Sequence, residues 1–235
     1  MEELNEAVTN TNDKTQPGPD KILPEFIKNF GPKAKDTPLL IYNKFWASKM
    51  SLPADWTKTV IILISKPGKP TKEIESYQPI TLTSILTKVS ERMISTRIKC
   101  FLECQNLLAV EQGGFRNNMS TSNSLMRFVQ YVKEGFNQKK STLAVFMDFI
   151  GAYNTVYRSK LMRKLKIYGV RENMLSWFRR FLAQRRIKVW WDKAESKYKL
   201  SKISLLQGAV SSTVLFNVHI NELPEHFNRW NRQME

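Results

Sequence analysis

Cysteine and histidine are scarce: the 235 residues hold two of each. Cys100 and Cys104 stand four apart in an apolar-periodic stretch, so on a helix they share a face, and reduced core thiols are expected. With His219 and His226 the only histidines, a structural zinc site, which takes four Cys or His ligands, is not expected. Long apolar runs are missing too. The longest aliphatic run, Val60–Ile64, is far short of the roughly 18 residues that a bilayer span requires. The first twenty residues are polar and acidic-leaning, and lack the charged start and apolar middle of a signal peptide, so an intracellular setting is expected.

Acidic residues are the remaining shortage: 21 Asp+Glu face 37 Lys+Arg, a net charge of +16. At 42% hydrophobic residues the chain is too apolar for a disordered protein, and its length allows one large or two small units with a real core. Such a balance points to a polyanionic partner, nucleic acid first and an anionic membrane surface second. Residues 151–202 carry a net +12 of this charge. There the cations alternate with Tyr157, Tyr168, Trp177, Phe178, Phe181, Trp190, Trp191 and Tyr198, some of which are candidates to stack on bases, although aromatics at helical spacing also build cores.

Residues 1–20 read as a flexible lead ending in the turn-rich Pro17-Gly18-Pro19-Asp20. Helices are expected over Pro24 to Phe30 and Pro38 to Lys49. A β-branched strand over Thr57 to Ile64 then leads through a basic turn, Ser65 to Pro70, into an extended return over Tyr77 to Thr83. Ser84 to Cys104 has the clearest helical pattern, with Ile85, Leu86, Val89, Met93, Ile94, Ile98, Phe101 and Leu102 on its apolar side. After a glycine loop at 111–116, Thr121 to Phe136 resumes helical spacing. Thr142 to Phe149 reads as a short buried strand that closes on a single carboxylate, Asp148. That carboxylate is either a metal or substrate edge, or the cap of the following turn at Gly151. Basic helices near Ser159 to Tyr168 and Asn173 to Ala183, a strand over Arg186 to Trp191, and a final helix over Val214 to Leu223 complete an α+β pattern without internal repeats.

Six blocks stand in order: Gly18-Pro19-Asp20, Lys66-Pro67-Gly68-Lys69-Pro70, Tyr77-Gln78-Pro79-Ile80, Gln112-Gly113-Gly114-Phe115-Arg116, Val145 to Tyr153, and Gln207-Gly208 followed by Leu215 to Pro224. Together they resemble the reverse transcriptase domain of non-LTR retrotransposons, the jockey-like elements in particular. The resemblance implies a right-hand polymerase fold, with a fingers-like region over 21–140 and a partial palm with basic helices over 141–235. It also implies an RNA template and a DNA primer, deoxynucleoside triphosphates, and no membrane. The chemistry it implies is phosphoryl transfer assisted by two Mg²⁺ ions, hard cations that favour oxygen ligands. The setting it implies is nuclear or a cytoplasmic ribonucleoprotein.

Residue by residue, the resemblance makes Asp148 the first catalytic aspartate and metal ligand, and the Phe149 carbonyl a further metal contact. Tyr153 matches the aromatic gate against a ribose 2′-hydroxyl, and Lys66 the lysine that approaches the triphosphate. Gln207 and Gly208 match a turn beside the nascent base pair, while Phe115 and Arg116 fall in the block along the template. Several positions depart from the pattern. Gln78 stands where the family has an arginine, so a charged fork for phosphate is lost and nucleotide affinity is expected to fall. Asn154, Leu206, Ala209 and Ser211 to Thr213 are further departures, and no Asp-Asp pair occurs before Glu235. The expectation is a chain without its paired-aspartate motif and thumb, inactive in polymerisation as it stands. The alternatives are a non-catalytic basic module for RNA or DNA, and an inert relic.

Overall fold

The computed structural model describes residues 1–13, 15–48, 50–183, 185–201 and 205–234, with side chains through Arg229. Lys49, Lys202 and Glu235, which enter the expectations above, lie outside them. The chain builds a mixed helical and sheet fold around one central helix. Its first half contains α1 (Glu2–Thr9), α2 (Pro24–Lys28), α3 (Pro32–Ala47), α4 (Ala54–Thr57), β1 (Lys58–Ser65), β2 (Tyr77–Thr83), α5 (Ile85–Cys104) and α6 (Thr121–Asn137). The second contains α7 (Arg158–Ile167), α8 (Glu172–Leu182), β3 (Arg186–Trp191), β4 (Ala194–Glu195), β5 (Lys199–Leu200), α9 (Ser212–Ile220) and α10 (Leu223–Met234). None of these helices is long and apolar enough to cross a membrane.

The β-branched run forms β1, and β2 returns against it with Thr59 opposite Thr83 and Ser65 opposite Tyr77. β3 joins the other side of β1 in parallel, Lys58 beside Arg186 and Ile62 beside Trp190, giving the order β2-β1-β3-β4, with β5 also on β3. Helix α5 starts at Ser84, whose hydroxyl accepts the Leu86 N–H. It buries Ile85, Val89, Ile94, Ile98 and Leu102. On α8 the Trp177 and Phe181 rings stack at 4.7 Å, and at the α3–α4 corner Tyr42 meets Trp56 and donates to the Leu86 carbonyl at 2.9 Å.

Several expectations need correction. Where a lead was expected, residues 2–9 form a packed helix: α1 buries Leu4, Ala7 and Val8, an i, i+3, i+4 set, and packs on α5. Arg97 holds it there, donating from Nε and Nη2 to the Glu3 carboxylate at 2.8 and 2.5 Å while lying 4.8 Å over the Trp46 ring. Helix α3 begins at Pro32 rather than Pro38, because proline at the first helical position gives up an N–H that has no partner anyway. The helix expected over Val214 to Leu223 is two: α9 stops at Ile220, and Pro224 stands in the first turn of α10, where a missing N–H is again no loss.

Residues 142–149 form no strand, and side chains from Leu143 to Ile150 are exposed, Phe146 at 85% and Ile150 at 94%. Apolar patterning marks what favours burial, but a strand also needs a neighbour for its N–H and C=O groups, and no strand of the described sheet pairs with this segment. Helix α6 likewise has no buried residue, and it meets this segment through Phe128 and Phe146, edge-on at 5.9 Å. Cys100 and Cys104 are exposed rather than core, their sulfurs 3.7 Å apart, because they lie on the outward side of α5.

Two close approaches lock the centre. A Cβ on Gly18 would come within 2.5 Å of the Thr83 carbonyl and the Ser84 nitrogen, so the Gly18-Pro19 segment packs directly on the β2–α5 junction. Glu91, on α5, is fully buried; its Oε2 accepts the N–H (3.2 Å) and hydroxyl (3.1 Å) of Ser211 at the start of α9. Burial pushes its carboxyl up, opposed chiefly by the positive charge of Arg185. Arg185 is 2% exposed. It lies 3.9 Å over the Phe181 ring and donates to the Phe181 carbonyl and, at 3.4 Å, to the Thr59 hydroxyl. Burial brings its guanidinium down to about 10, against the pull of Glu91.

Gly18→Ala is expected to lower stability by about 1–3 kcal/mol in urea unfolding, because backbone atoms must move. Gly114→Ala, where an added Cβ meets nothing within 4 Å, is expected to change it by less than about 0.5 kcal/mol. Glu91→Ala leaves Arg185 buried without its counter-charge and should cost about 3 kcal/mol or more; a loss below about 1 kcal/mol would show that the two charges are not coupled.

Candidate nucleotide and nucleic-acid site

The β1–β2 hairpin carries two of the sequence-predicted residues. Lys66, just past β1, donates its backbone N–H to the Ser76 carbonyl (2.8 Å) and its ammonium to the Glu75 carbonyl (2.9 Å), so it is tied across the mouth of the hairpin. Gln78 opposes Ile64 in the ladder and is exposed. Three residues further along β2, the backbone N–H and the hydroxyl of Thr81 both donate to the Gln207 carbonyl, at 2.8 and 2.6 Å. Gly208 follows with φ +111°, and a Cβ there would lie 3.0 Å from the Thr81 carbonyl oxygen. Only glycine meets both the backbone angle and the approach, so the Gln-Gly turn covers the outer edge of β2.

The same turn reaches the Asp148 segment. Leu205 donates its N–H to the Tyr153 carbonyl at 3.3 Å. A chain of backbone contacts thus runs from Tyr153 through Leu205 and Gln207 to Thr81 and the strand that bears Gln78. Tyr153 is half-buried, its phenol pushed up by burial, and its ring sits edge-on to Phe216 at 5.3 Å. Phe149 meets the same ring at 6.0 Å. Asp148 is exposed, and its Oδ1 accepts the N–H of Phe149 at 2.9 Å.

The template block behaves differently. Phe115 is exposed at φ +57°, whereas Arg116 is already committed. Arg116 forks onto Glu103 at 2.9 and 2.6 Å, and donates to the Ala109 and Gln112 carbonyls at 2.9 and 3.2 Å. The fork holds the Glu103 carboxyl below its ordinary range and raises the guanidinium. The loop is then fastened to α9: Asn217 donates to the Gly114 carbonyl at 2.8 Å, and Asn221 accepts from Ala109 at 2.8 Å and donates to Leu107 at 2.7 Å.

Residues that sequence reasoning did not single out organise the site. Phe216 is the ring shared by Phe149 and Tyr153, and Asn217 and Asn221 join the template block to α9. All three lie within the Leu215 to Pro224 motif, where the asparagines of an otherwise apolar helix were the available signal. His219 lies 6.4 Å from Phe216; burial, then Lys164 and Lys160, push its imidazole down. For a metal, the available donors are one carboxylate, Asp148, and the Phe149 carbonyl. They are the hard oxygen type that Mg²⁺ takes, yet no group of three metal-ligating side chains comes together among the described residues, so this set alone does not hold the ion.

With this geometry in place, the comparisons with known proteins are specific. Residues 64–234 match the reverse transcriptase (RNA-dependent DNA polymerase) family. The chain is 30% identical over 230 residues to a Drosophila melanogaster protein named "Probable RNA-directed DNA polymerase from transposon BS". It is 27% identical over 226 residues to the RNA-directed DNA polymerase from mobile element jockey of the same species. These matches cover 95% and 96% of this chain and 24% of each relative, so the chain spans about a quarter of the length of the curated relatives it matches. A Pol polyprotein from the type-1 retrotransposable element R2 of Popillia japonica is 25% identical over 173 residues, 73% of this chain and 24% of that one. A family match over most of the chain, with six motif blocks in order and three of them meeting on one strand, leads to one conclusion: the chain belongs to the reverse transcriptase family, as a domain of the non-LTR retrotransposon kind.

Proposed function

We propose that this chain is the part of an RNA-directed DNA polymerase that receives the nucleotide and the template–primer, with residues 21–140 as fingers and 141–235 as the start of the palm. The observation that carries the reading is the backbone chain from Tyr153 through Leu205 and Gln207 to Thr81. It ties the aromatic gate, the Gln-Gly turn and the phosphate-facing strand into one unit, although Thr81 and Gln207 are 126 residues apart. In this reading Lys66 meets the triphosphate, Tyr153 lies against the sugar, Gln207 and Gly208 flank the new base pair, and Phe115 offers an exposed ring to the template.

The family is divalent-metal dependent and uses a nucleic-acid template with nucleotide substrates. Asp148 contributes one carboxylate to such a metal and Phe149 one carbonyl, which falls short of an octahedral oxygen set. Binding, rather than bond formation, is therefore what the described residues support. Gln78 bears on this directly. Its neutral amide stands exposed on β2 where a guanidinium would grip phosphate in a bidentate fork.

Fluorescence anisotropy with a labelled RNA–DNA template–primer tests the reading. Binding should be measurable at low salt and weaken steeply as salt rises, since phosphate contacts release counterions. Undetectable or salt-independent binding would overturn it. Calorimetric titration with a deoxynucleoside triphosphate should show Gln78→Arg binding about tenfold more tightly than the native chain, the worth of about one charge-assisted contact. Equal affinities would remove Gln78 from the nucleotide site.

A further inference from the structure

The cations of α7 divide into two sets. Five of its ten residues are basic and none is acidic. Two are engaged: Arg158 donates to the Ser201 carbonyl at 3.2 Å, and Lys164 reaches the His219 carbonyl at 2.6 Å and the Glu222 carboxylate at 3.0 Å. Lys160, Arg163 and Lys166 are exposed, and among the described residues they form no hydrogen bond or ion pair. Their spacing, i, i+3 and i+6, lines them along one side of the helix at about 4.5 Å of rise per step. Like charges so placed oppose the helix they stand on, and nothing within α7 offsets them.

The surroundings indicate what would offset them. Tyr157 is exposed at the head of the stripe with the Lys160 ammonium 5.3 Å over its ring, and Arg171 is exposed just beyond its tail. The opposite side of α7 buries Leu161 and Leu165 in the core, and the helix packs on α9. A lipid surface would need that apolar side free, and the exposed part offers cations, a stacking ring and a single aliphatic side chain, Ile167. The stripe also begins near the site: Lys160 acts electrostatically on His219, which neighbours Phe216, the ring shared by Phe149 and Tyr153.

We propose that Lys160, Arg163 and Lys166 form a track for the phosphate backbone of a nucleic-acid strand, with Tyr157 as a stacking surface at its head, leading along α7 from beside the Asp148–Tyr153 segment. The track rests on the nucleic-acid reading above and adds a contact outside the nucleotide site. Contact is with phosphate, so it is indifferent to base sequence.

The test compares K160Q/R163Q/K166Q with K33Q/K44Q/K133Q, an equal loss of charge at exposed lysines on α3 and α6, in the intact chain. Circular dichroism melts first establish that each variant is folded. Anisotropy with a short labelled single-stranded RNA is then measured between about 50 and 200 mM salt. The α7 triple should flatten the slope of log affinity against log salt by about two, the counterions of three phosphates, and weaken binding at least about tenfold. The control triple should change the slope by less than about one. Equal losses in both triples, or an unchanged slope in the α7 triple, would overturn the track while leaving the wild-type reading intact. No salt-dependent binding by wild type would remove both. Loss of binding to phosphatidylserine vesicles with RNA binding preserved would assign the stripe to a membrane surface and overturn the proposal.

Discussion

The arrangement depends on a carboxylate that is expensive to bury. Glu91 lies inside the molecule on the central helix, and an isolated charge there would cost several kcal/mol. It is retained because three features meet it. The Ser211 N–H and hydroxyl satisfy one oxygen, the start of α9 presents its positive dipole end, and Arg185, over the Phe181 ring, adds a positive charge through space without an ion-pair contact. The Ser211 side chain does not cap its own helix, so Glu91 does that work from another element. Residues 120 apart in sequence are thereby fixed, and the segment that carries the Gln-Gly turn has a secured end.

That secured end bears on β2. One edge of β2 pairs with β1, and the other would be an open row of donors and acceptors. Gln207 and Gly208 cover it at Thr81, and Gly18 packs over its last residue, where no side chain would fit. The strand is thus held along its edge and at its end while Gln78 remains exposed. Tyr153 is joined to the Gln-Gly segment by the Leu205 bond and rests against Phe216. Rigidity of this kind lets a polar site discriminate among substrates, since small displacements of positioned groups weaken every contact they make.

Much of this was legible in the sequence, for reasons that also explain what was not. The hairpin, α5 and β3 were readable because a β-branched run, a sustained 3.6-residue period and bounding turns each report local preference. Helix α1 was missed although Leu4, Ala7 and Val8 carry the helical spacing, because a polar composition outweighed three apolar residues. The segment ending at Asp148 failed in the opposite sense: its apolar character was read correctly, but pairing is a property of neighbours. Glu91 and Arg185 were hidden by the charge count itself. In a chain with 58 charged residues nothing local marks the two that face inward, though Glu91 follows the buried Thr87 by four and precedes the buried Ile98 by seven.

The departures from the family pattern acquire physical meaning in this setting. Gln78 removes a cation from β2, Lys66 spends part of its donor capacity on Glu75, and Arg116 is consumed by Glu103 and two carbonyls. Positive charge is therefore thin where the resemblance assigns nucleotide and template contacts. It is abundant on α7, which lies between the Asp148 segment and the Gln-Gly turn in sequence. An excess of +16 does not act as a uniform coat, because exposed charges are screened within about 8–10 Å at physiological salt. Attraction for a polyanion grows where cations stand unpaired and close together, and among the described residues Lys160, Arg163 and Lys166 on the outer side of α7 are one such place. In the proposed reading the nucleotide contacts and the phosphate track therefore fall on different elements, joined through α9 by Phe216 and His219.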